Sequence, residues 1–105
     1  MYSLIFSLAT GHPTGTYYAE LIRRTDGQIW DDDAGAMAAA PTFANTALEV
    51  DELNASGHFG FEIPADLPVG FYRASLRLKA GASPDPTDDV KDVCDFQYSG
   101  GDPVL

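Results

Sequence analysis

Aspartates gather in two short stretches of this chain, and carboxylate oxygens are the ligands that calcium prefers in proteins. The first stretch is Asp31-Asp32-Asp33, and the second lies downstream, with Asp88, Asp89 and Asp92 at its centre. If both stretches lie in loops at one end of a β-sandwich, their carboxylates could meet and form a calcium site. Neither stretch has EF-hand spacing. A solvated acidic surface that keeps a small domain soluble is therefore the competing interpretation.

The residues that could act as a nucleophile or bind zinc are one cysteine, Cys94, and two histidines, His12 and His58. Cys94 alternates with residues predicted to face inward, which predicts a buried thiol, whereas a cysteine nucleophile needs an accessible one. The chain has no Gly-x-Ser-x-Gly elbow, no phosphate-binding glycine loop and no Cys-x-x-Cys pair. We therefore expect no enzymatic activity and no cofactor.

Residues 71–80 alternate more regularly than the rest of the chain, which predicts a β-strand with one inward and one outward face. The outward face carries an aromatic ring beside three basic side chains, Phe71, Arg73, Arg77 and Lys79. An exposed aromatic side chain marks a candidate interaction surface. We predict that this face binds a protein partner or docks head-to-tail on an acidic face of a neighbouring copy. The alternative is a set of cross-strand ion pairs with Glu20, Glu49 or Glu62.

Aromatic residues offer a second kind of binding surface, because exposed rings can stack on sugars. The candidates for such a carbohydrate platform are Tyr17, Tyr18, Trp30, Phe71 and Tyr98. The alternative is that most of these rings belong to the core.

The elements that must position these residues are short β-strands, since a period of two recurs along the chain with turn signals between the repeats. Residues 16–24 carry large side chains on both faces, so that strand is expected to contribute to two surfaces. Asp26-Gly27 between apolar runs predicts a tight hairpin, and residues 31–42 are predicted as a loop with at most one helical turn. The predicted strands cover about 2–8, 16–24, the residues around Ile29 and Trp30, 46–53, 58–63, 71–80 and 90–98.

The predicted fold class is all-β, an antiparallel two-sheet sandwich of about seven strands, with a small barrel as the alternative. On the last strand, Val90, Cys94, Phe96 and Tyr98 are predicted to share one face. The predicted core consists of Leu4, Phe6, Tyr17, Leu21, Trp30, Leu48, Val50, Phe59, Phe61, Ile63, Tyr72, Leu76, Leu78 and Phe96.

The run Asp66-Leu-Pro-Val-Gly-Phe-Tyr-Arg-Ala-Ser-Leu resembles the sheet-crossing corner of immunoglobulin-like, fibronectin-III-like and transthyretin-like sandwiches. The resemblance implies that Tyr72 has a structural role, with its hydroxyl bonded to the backbone of the corner. Ala74 stands where an antibody domain has a cysteine, which argues against an antibody-type domain. A fold of this kind implies no particular function.

A looser series extends over most of the chain: Tyr-Tyr-Ala-x-Leu-Ile-Arg, Thr-Asp-Gly-Gln-Ile-Trp, Pro-Ala-Asp-Leu-Pro-Val-Gly-Phe-Tyr and Ala-Gly-Ala-Ser-Pro. In this order the segments resemble small β-domains among the structural and accessory proteins of tailed phages and prophages. The resemblance implies a non-catalytic component of a particle, and it carries no catalytic residues.

Length and charge limit the remaining possibilities. The chain has 105 residues, which predicts one domain over residues 1–98 and a flexible tail over 99–105. Its net charge of −10 repels nucleic acids and anionic membranes, so neither is an expected partner. A single cysteine excludes an intramolecular disulfide, and we find no signal peptide or membrane-spanning run. We therefore expect a cytoplasmic or virion-associated protein rather than a secreted one.

Overall fold

The computed structural model describes residues 4–8, 15–53 and 57–101, and this part of the chain contains nine β-strands and no α-helix. A short 3-10 helix covers Phe43–Thr46. In chain order the strands are β1 (Leu4–Ser7), β2 (Thr16–Arg23), β3 (Ile29–Asp31), β4 (Ala36–Ala38), β5 (Leu48–Glu49), β6 (Asp51–Glu52), β7 (His58–Phe61), β8 (Gly70–Lys79) and β9 (Asp89–Tyr98).

The strands form two sheets in which every pairing is antiparallel. The smaller sheet has the order β1-β7-β6, and the larger has the order β4-β3-β2-β8-β9, with β5 also pairing with β2. The prediction of an all-β fold with two antiparallel sheets is therefore confirmed, and the arrangement is compatible with a β-sandwich.

The core lies between the two sheets. Tyr17 of the larger sheet packs on Phe59 of the smaller one, with ring centres 4.5 Å apart. Ten predicted core residues are buried: Phe6, Tyr17, Leu21, Trp30, Leu48, Phe59, Phe61, Tyr72, Leu76 and Phe96. Val50, Ile63 and Leu78 are half-buried at its margin, and the side chain of Leu4 lies outside the described part. Leu67 is a buried core residue that the alternation did not predict, because it lies in a turn.

The β2 strand contributes to two surfaces, as its sequence predicts. Tyr17, Ala19 and Leu21 face the core, while Tyr18 and Glu20 are buried on the opposite face. Its ladder with β8 is continuous from Thr16–Lys79 to Arg23–Tyr72, so these two strands form the middle of the larger sheet.

The chain crosses from the smaller to the larger sheet between β7 and β8. Leu67 N donates to Pro64 O across the corner. Tyr72 is fully buried, and its hydroxyl donates to Pro68 O at 2.6 Å. This hydrogen bond satisfies both a buried phenol and a carbonyl of the turn, and it ties the start of β8 to the crossing segment.

The prediction of a two-residue hairpin at Asp26-Gly27 is wrong. Arg23 N bonds to Gln28 O, and Gly27 N bonds to Arg23 O, so the loop has four residues, 24–27. Asp26 Oδ1 accepts from Gln28 N, and the Asp26 carboxylate also binds the Arg23 guanidinium at 2.7 Å. These side-chain bonds stabilise a longer loop than the Asp-Gly signal alone predicts.

The predicted loop over 31–42 contains a strand instead. Ala36–Ala38 pairs with β3 in the register Trp30–Met37. The β3–β4 turn is closed by Asp31, whose Oδ1 accepts from Asp33 N and Ala34 N. Pairing with β3 outweighs the weak helix propensity of a short alanine run.

The single strand predicted over 46–53 is divided into β5 and β6. β5 pairs with β2 of the larger sheet and β6 pairs with β7 of the smaller one. Val50 lies between them and is half-buried. This segment therefore crosses between the sheets, which period-two alternation cannot reveal.

A β-bulge in β9 overturns the prediction that Val90 shares a face with Cys94. Leu76 pairs with Asp92 but Arg77 pairs with Val90, so Lys91 is the extra residue. An extra residue reverses the side on which the preceding residues point. Val90 is consequently exposed, whereas Phe96 stays in the core.

Some predictions fall on residues that the structure does not describe. These are residues 2–3 of the first predicted strand, the side chain of Leu4, His12 and, within the predicted tail, residues 102–105. In the described ranges, no helix combines the length and the apolar character that crossing a bilayer requires.

Candidate interaction surface

The larger sheet has an inner face against the smaller sheet and an outer face turned away from it. Paired residues on antiparallel strands point to the same side, so the register defines the outer face. One part of it, which we call the covered half, consists of Tyr18, Glu20, Ser75 and Arg77. The other part, the open half, consists of Phe71, Arg73, Val93 and Asp95.

Phe43 and the loop between β8 and β9 lie over the covered half. The Arg77 guanidinium carbon is 5.3 Å from the centre of the Phe43 ring. Arg77 Nη1 donates to Pro86 O at 3.2 Å and to Asp88 O at 2.9 Å. Arg77 Nη2 lies 3.3 Å from the buried Glu20 carboxylate. Arg77 is therefore engaged within the chain, in the cross-strand ion pair that the sequence offers as the alternative.

Asp88 fixes the loop to the sheet. Its carboxylate is buried and accepts hydrogen bonds from Tyr18 Oη at 2.8 Å, Ala80 N at 3.1 Å and Asp85 N at 3.0 Å. The Tyr18 hydrogen bond is the main reason that the pKa of Asp88 is lowered, although burial opposes the shift. Burial, followed by the bond to Asp88, raises the pKa of Tyr18.

The open half presents two apolar side chains with an ion pair between them. Phe71 is 51% exposed and Val93 is 48% exposed. Arg73 Nε and Nη2 donate to the two oxygens of Asp95 at 2.7 and 3.0 Å. This bidentate hydrogen bond is the main reason that the pKa of Asp95 is lowered.

Arg24 adds a second guanidinium to the open half. Its Nη1 lies 3.6 Å from Asp95 Oδ2, so two arginines share one carboxylate. The local charge is therefore positive, on a chain whose net charge is −10.

The four residues of the predicted interaction face are divided by the structure. Phe71 and Arg73 lie in the open half, and Arg77 lies in the covered half. Lys79 pairs with Thr16 at the end of β8 and is half-buried. The sequence analysis missed Val93 and Asp95, which lie on β9, and Arg24, which follows the end of β2. The alternation of residues 93, 95 and 97 could have indicated the first two.

The two aspartate stretches do not meet, because β2 and β8 separate β3 from β9 in the larger sheet. Asp32 Oδ1 accepts from Trp30 Nε1 at 3.0 Å, and Asp92 Oδ1 accepts from Val93 N at 2.9 Å. The exposed Asp89 pairs with Lys91 at 3.5 Å. In the part of the chain that the structure describes, no three His, Cys, Asp or Glu side chains are arranged to hold a metal ion.

The five aromatic side chains of the predicted carbohydrate platform do not share a surface. Tyr17 and Trp30 are buried in the core, and Tyr18 is buried under the loop on the other face. Tyr98 is half-buried against the core, which leaves Phe71 as the exposed member. Rings on opposite faces of one sheet cannot stack on the same sugar.

The predicted thiol and histidine candidates are placed separately. Cys94 is half-buried on the inner side of β9, and burial raises the pKa of its thiol. His58 lies at the start of β7, where its Nδ1 is 2.8 Å from Ser7 Oγ. A raised thiol pKa disfavours the thiolate that a nucleophile or a metal ligand requires.

Comparison of the chain with protein-family models, curated proteins and solved structures gives no match.

Proposed function

We propose that this chain is a non-catalytic structural module that works within an assembly, as a component of a phage-type or prophage-type particle. The proposal takes the fold to be an immunoglobulin-like or transthyretin-like sandwich, supported by the Tyr72 corner. The phage-like series of segments supports the particle. The net charge of −10 supports a protein partner over nucleic acid or an anionic membrane.

The proposal depends above all on one observation, the concentration of exposed apolar side chains on and beside the β8–β9 hairpin. Val69, Phe71, Val90 and Val93 are 66%, 51%, 47% and 48% exposed, and they are the large hydrophobic residues exposed in the described ranges. Burying such a side chain contributes about 1.5–3 kcal/mol. Single exposed apolar residues are ordinary, but three on one hairpin with a fourth directly beside it favour a contact surface.

Sedimentation of extracts from the source cells through a density gradient, with antibody detection, tests the proposed function. We expect the chain in a fast-sedimenting particle fraction. Phe71→Ser should reduce its share of that fraction, whereas Asp33→Ser, an exposed change in the β3–β4 turn, should not. A chain found only among slowly sedimenting proteins would contradict the proposal.

A further inference from the structure

We infer that the open half is a self-complementary interface at which two copies of this chain pack face to face. The twofold axis runs parallel to the strands and between β8 and β9. The inference rests on the proposed function and names the partner for this surface as a second copy.

The charges of the open half support this geometry. Arg73 and Asp95 lie directly opposite each other on β8 and β9. A rotation of 180° about an axis between these strands lays β8 of one copy over β9 of the other. Each Arg73 then faces the Asp95 of the second copy, so opposite charges meet twice. An isologous contact requires this kind of self-complementarity.

The apolar side chains fit the same axis. Phe71 lies beside the axis on β8, and Val93 lies beside it on β9. Along the strand direction, the Arg73–Asp95 ion pair lies between them. The rotation brings Phe71 close to Phe71 of the second copy, and Val93 close to Val93 of the second copy. An apolar contact thus forms on either side of the charged centre, and burial of the exposed Phe71 and Val93 side chains there stabilises the dimer.

The rest of the sheet limits where a second copy can pack. Phe43 and the β8–β9 loop already occupy the covered half. The edge of β9 is protected against strand pairing by its bulge at Lys91 and by Asp89, Asp92 and Asp95, which are devices that natural sheets use to prevent edge-to-edge contact. A face-to-face contact centred on Arg73 and Asp95 avoids the β9 edge, and it approaches the covered half only at its border, where Ser75 pairs with Val93.

A second copy also agrees with the local charge. Arg24 and Arg73 against Asp95 give the open half one net positive charge per copy, so the contact itself is not acidic. The two chains still repel at long range because each carries −10. Salt screens that long-range repulsion more than it screens contacting pairs, so the dimer should be tighter at moderate than at low ionic strength.

The test is light scattering coupled to size exclusion of the purified full chain, over a concentration series at low and moderate salt. We expect a mass that rises from 11.2 kDa towards twice that value. Arg73→Asp and Asp95→Arg should each weaken self-association about tenfold or more, because like charges then face each other. An equimolar mixture of the two variants should restore a mixed dimer, since each new charge meets its opposite.

One control and one further variant keep the test specific. Asp33→Arg makes a charge reversal of the same size on an exposed turn and should leave the dimer intact. Phe71→Ser should weaken the dimer without a change of charge, and circular dichroism checks that each variant is folded. A wild-type chain that stays monomeric at all concentrations, or a dimer unchanged in both charge variants, overturns the inference. A monomer that still enters the particle fraction overturns the dimer alone and leaves the proposed function standing.

Discussion

The hydroxyl of Tyr18 joins β2 to the loop that covers it. It donates to Asp88 Oδ2 at 2.8 Å, and the same carboxylate accepts from two backbone N–H groups, of Ala80 and Asp85. A buried carboxylate is stable only when such donors replace water. The single hydroxyl is therefore important for the position of the whole loop.

Tyr18→Phe should lower the free energy of unfolding by about 2 kcal/mol, because it removes a hydrogen bond to a charged group. The substitution should also raise the pKa of Asp88, since the Tyr18 hydrogen bond is the main reason that this pKa is lowered. Urea unfolding measures the stability, and a carboxyl NMR titration measures the pKa.

Tyr98→Phe is the matched control, because Tyr98 is a half-buried tyrosine on the inner side of β9. It should leave the pKa of Asp88 unchanged. Equal effects of the two substitutions on that pKa would show that the Tyr18 hydroxyl does not hold the Asp88 carboxylate.

The arginines of β8 illustrate what the sequence can and cannot predict about single residues. Alternation correctly places Arg73 and Arg77 on the same face of the strand. It cannot show that Phe43 and the β8–β9 loop fold over Arg77 and leave Arg73 exposed. Coverage by a distant segment is a tertiary property with no local signal.

Among the elements, the loop 24–27 depends on one glycine with positive φ. Gly27 has φ 72°, in the left-handed region that side chains with a Cβ rarely adopt. A Cβ at Gly27 would meet no other atom within 4 Å, so only the backbone conformation opposes a larger residue.

Gly27→Ala should therefore destabilise the fold by about 1 kcal/mol. Gly81→Ala provides the comparison, because Gly81 also has open space around it but its φ is not positive. That change should be neutral or slightly stabilising, since it restricts the unfolded chain. Thermal unfolding of both variants measures the two changes in stability. An equal loss of stability in both variants would refute a role for the Gly27 conformation.

The strands were predictable where one face is buried and the ladder is regular, as in β2 and β8. Prediction failed where pairing changes locally. The bulge at Lys91 reverses the side of Val90, and Ala36–Ala38 becomes a strand only because β3 offers a partner. Both features depend on the neighbouring strand, which a pattern within one segment does not contain.

At the scale of the whole molecule, four carboxylates are bound in ways that favour their charged forms. The pKa values of Asp26, Asp85, Asp88 and Asp95 are lowered, chiefly by hydrogen bonds from Arg23, Thr87, Tyr18 and Arg73 respectively. A carboxylate whose pKa is lower in the folded state stabilises the fold at pH values above its pKa in the unfolded state. This stabilisation is lost as the pH falls through the folded-state pKa.

The urea midpoint should consequently stay level from neutral pH towards pH ~5 and fall below about pH 4, where unfolded aspartates take up protons. Asp88→Asn should have a lower midpoint at neutral pH and a shallower decline in acid. A midpoint that rises on acidification would contradict this expectation, because it would mean that relief of the −10 self-repulsion dominates.

The ladder between β2 and β8 joins position 16 to 79 at one end and 23 to 72 at the other. Such distant pairing makes folding slow, because the loop must close before the contacts form. During synthesis β2 leaves the ribosome well before β8, and both of its faces carry side chains that are buried in the finished domain. The nascent chain therefore passes through an interval in which β2 is exposed to misassociation, and this interval ends only when β8 has emerged.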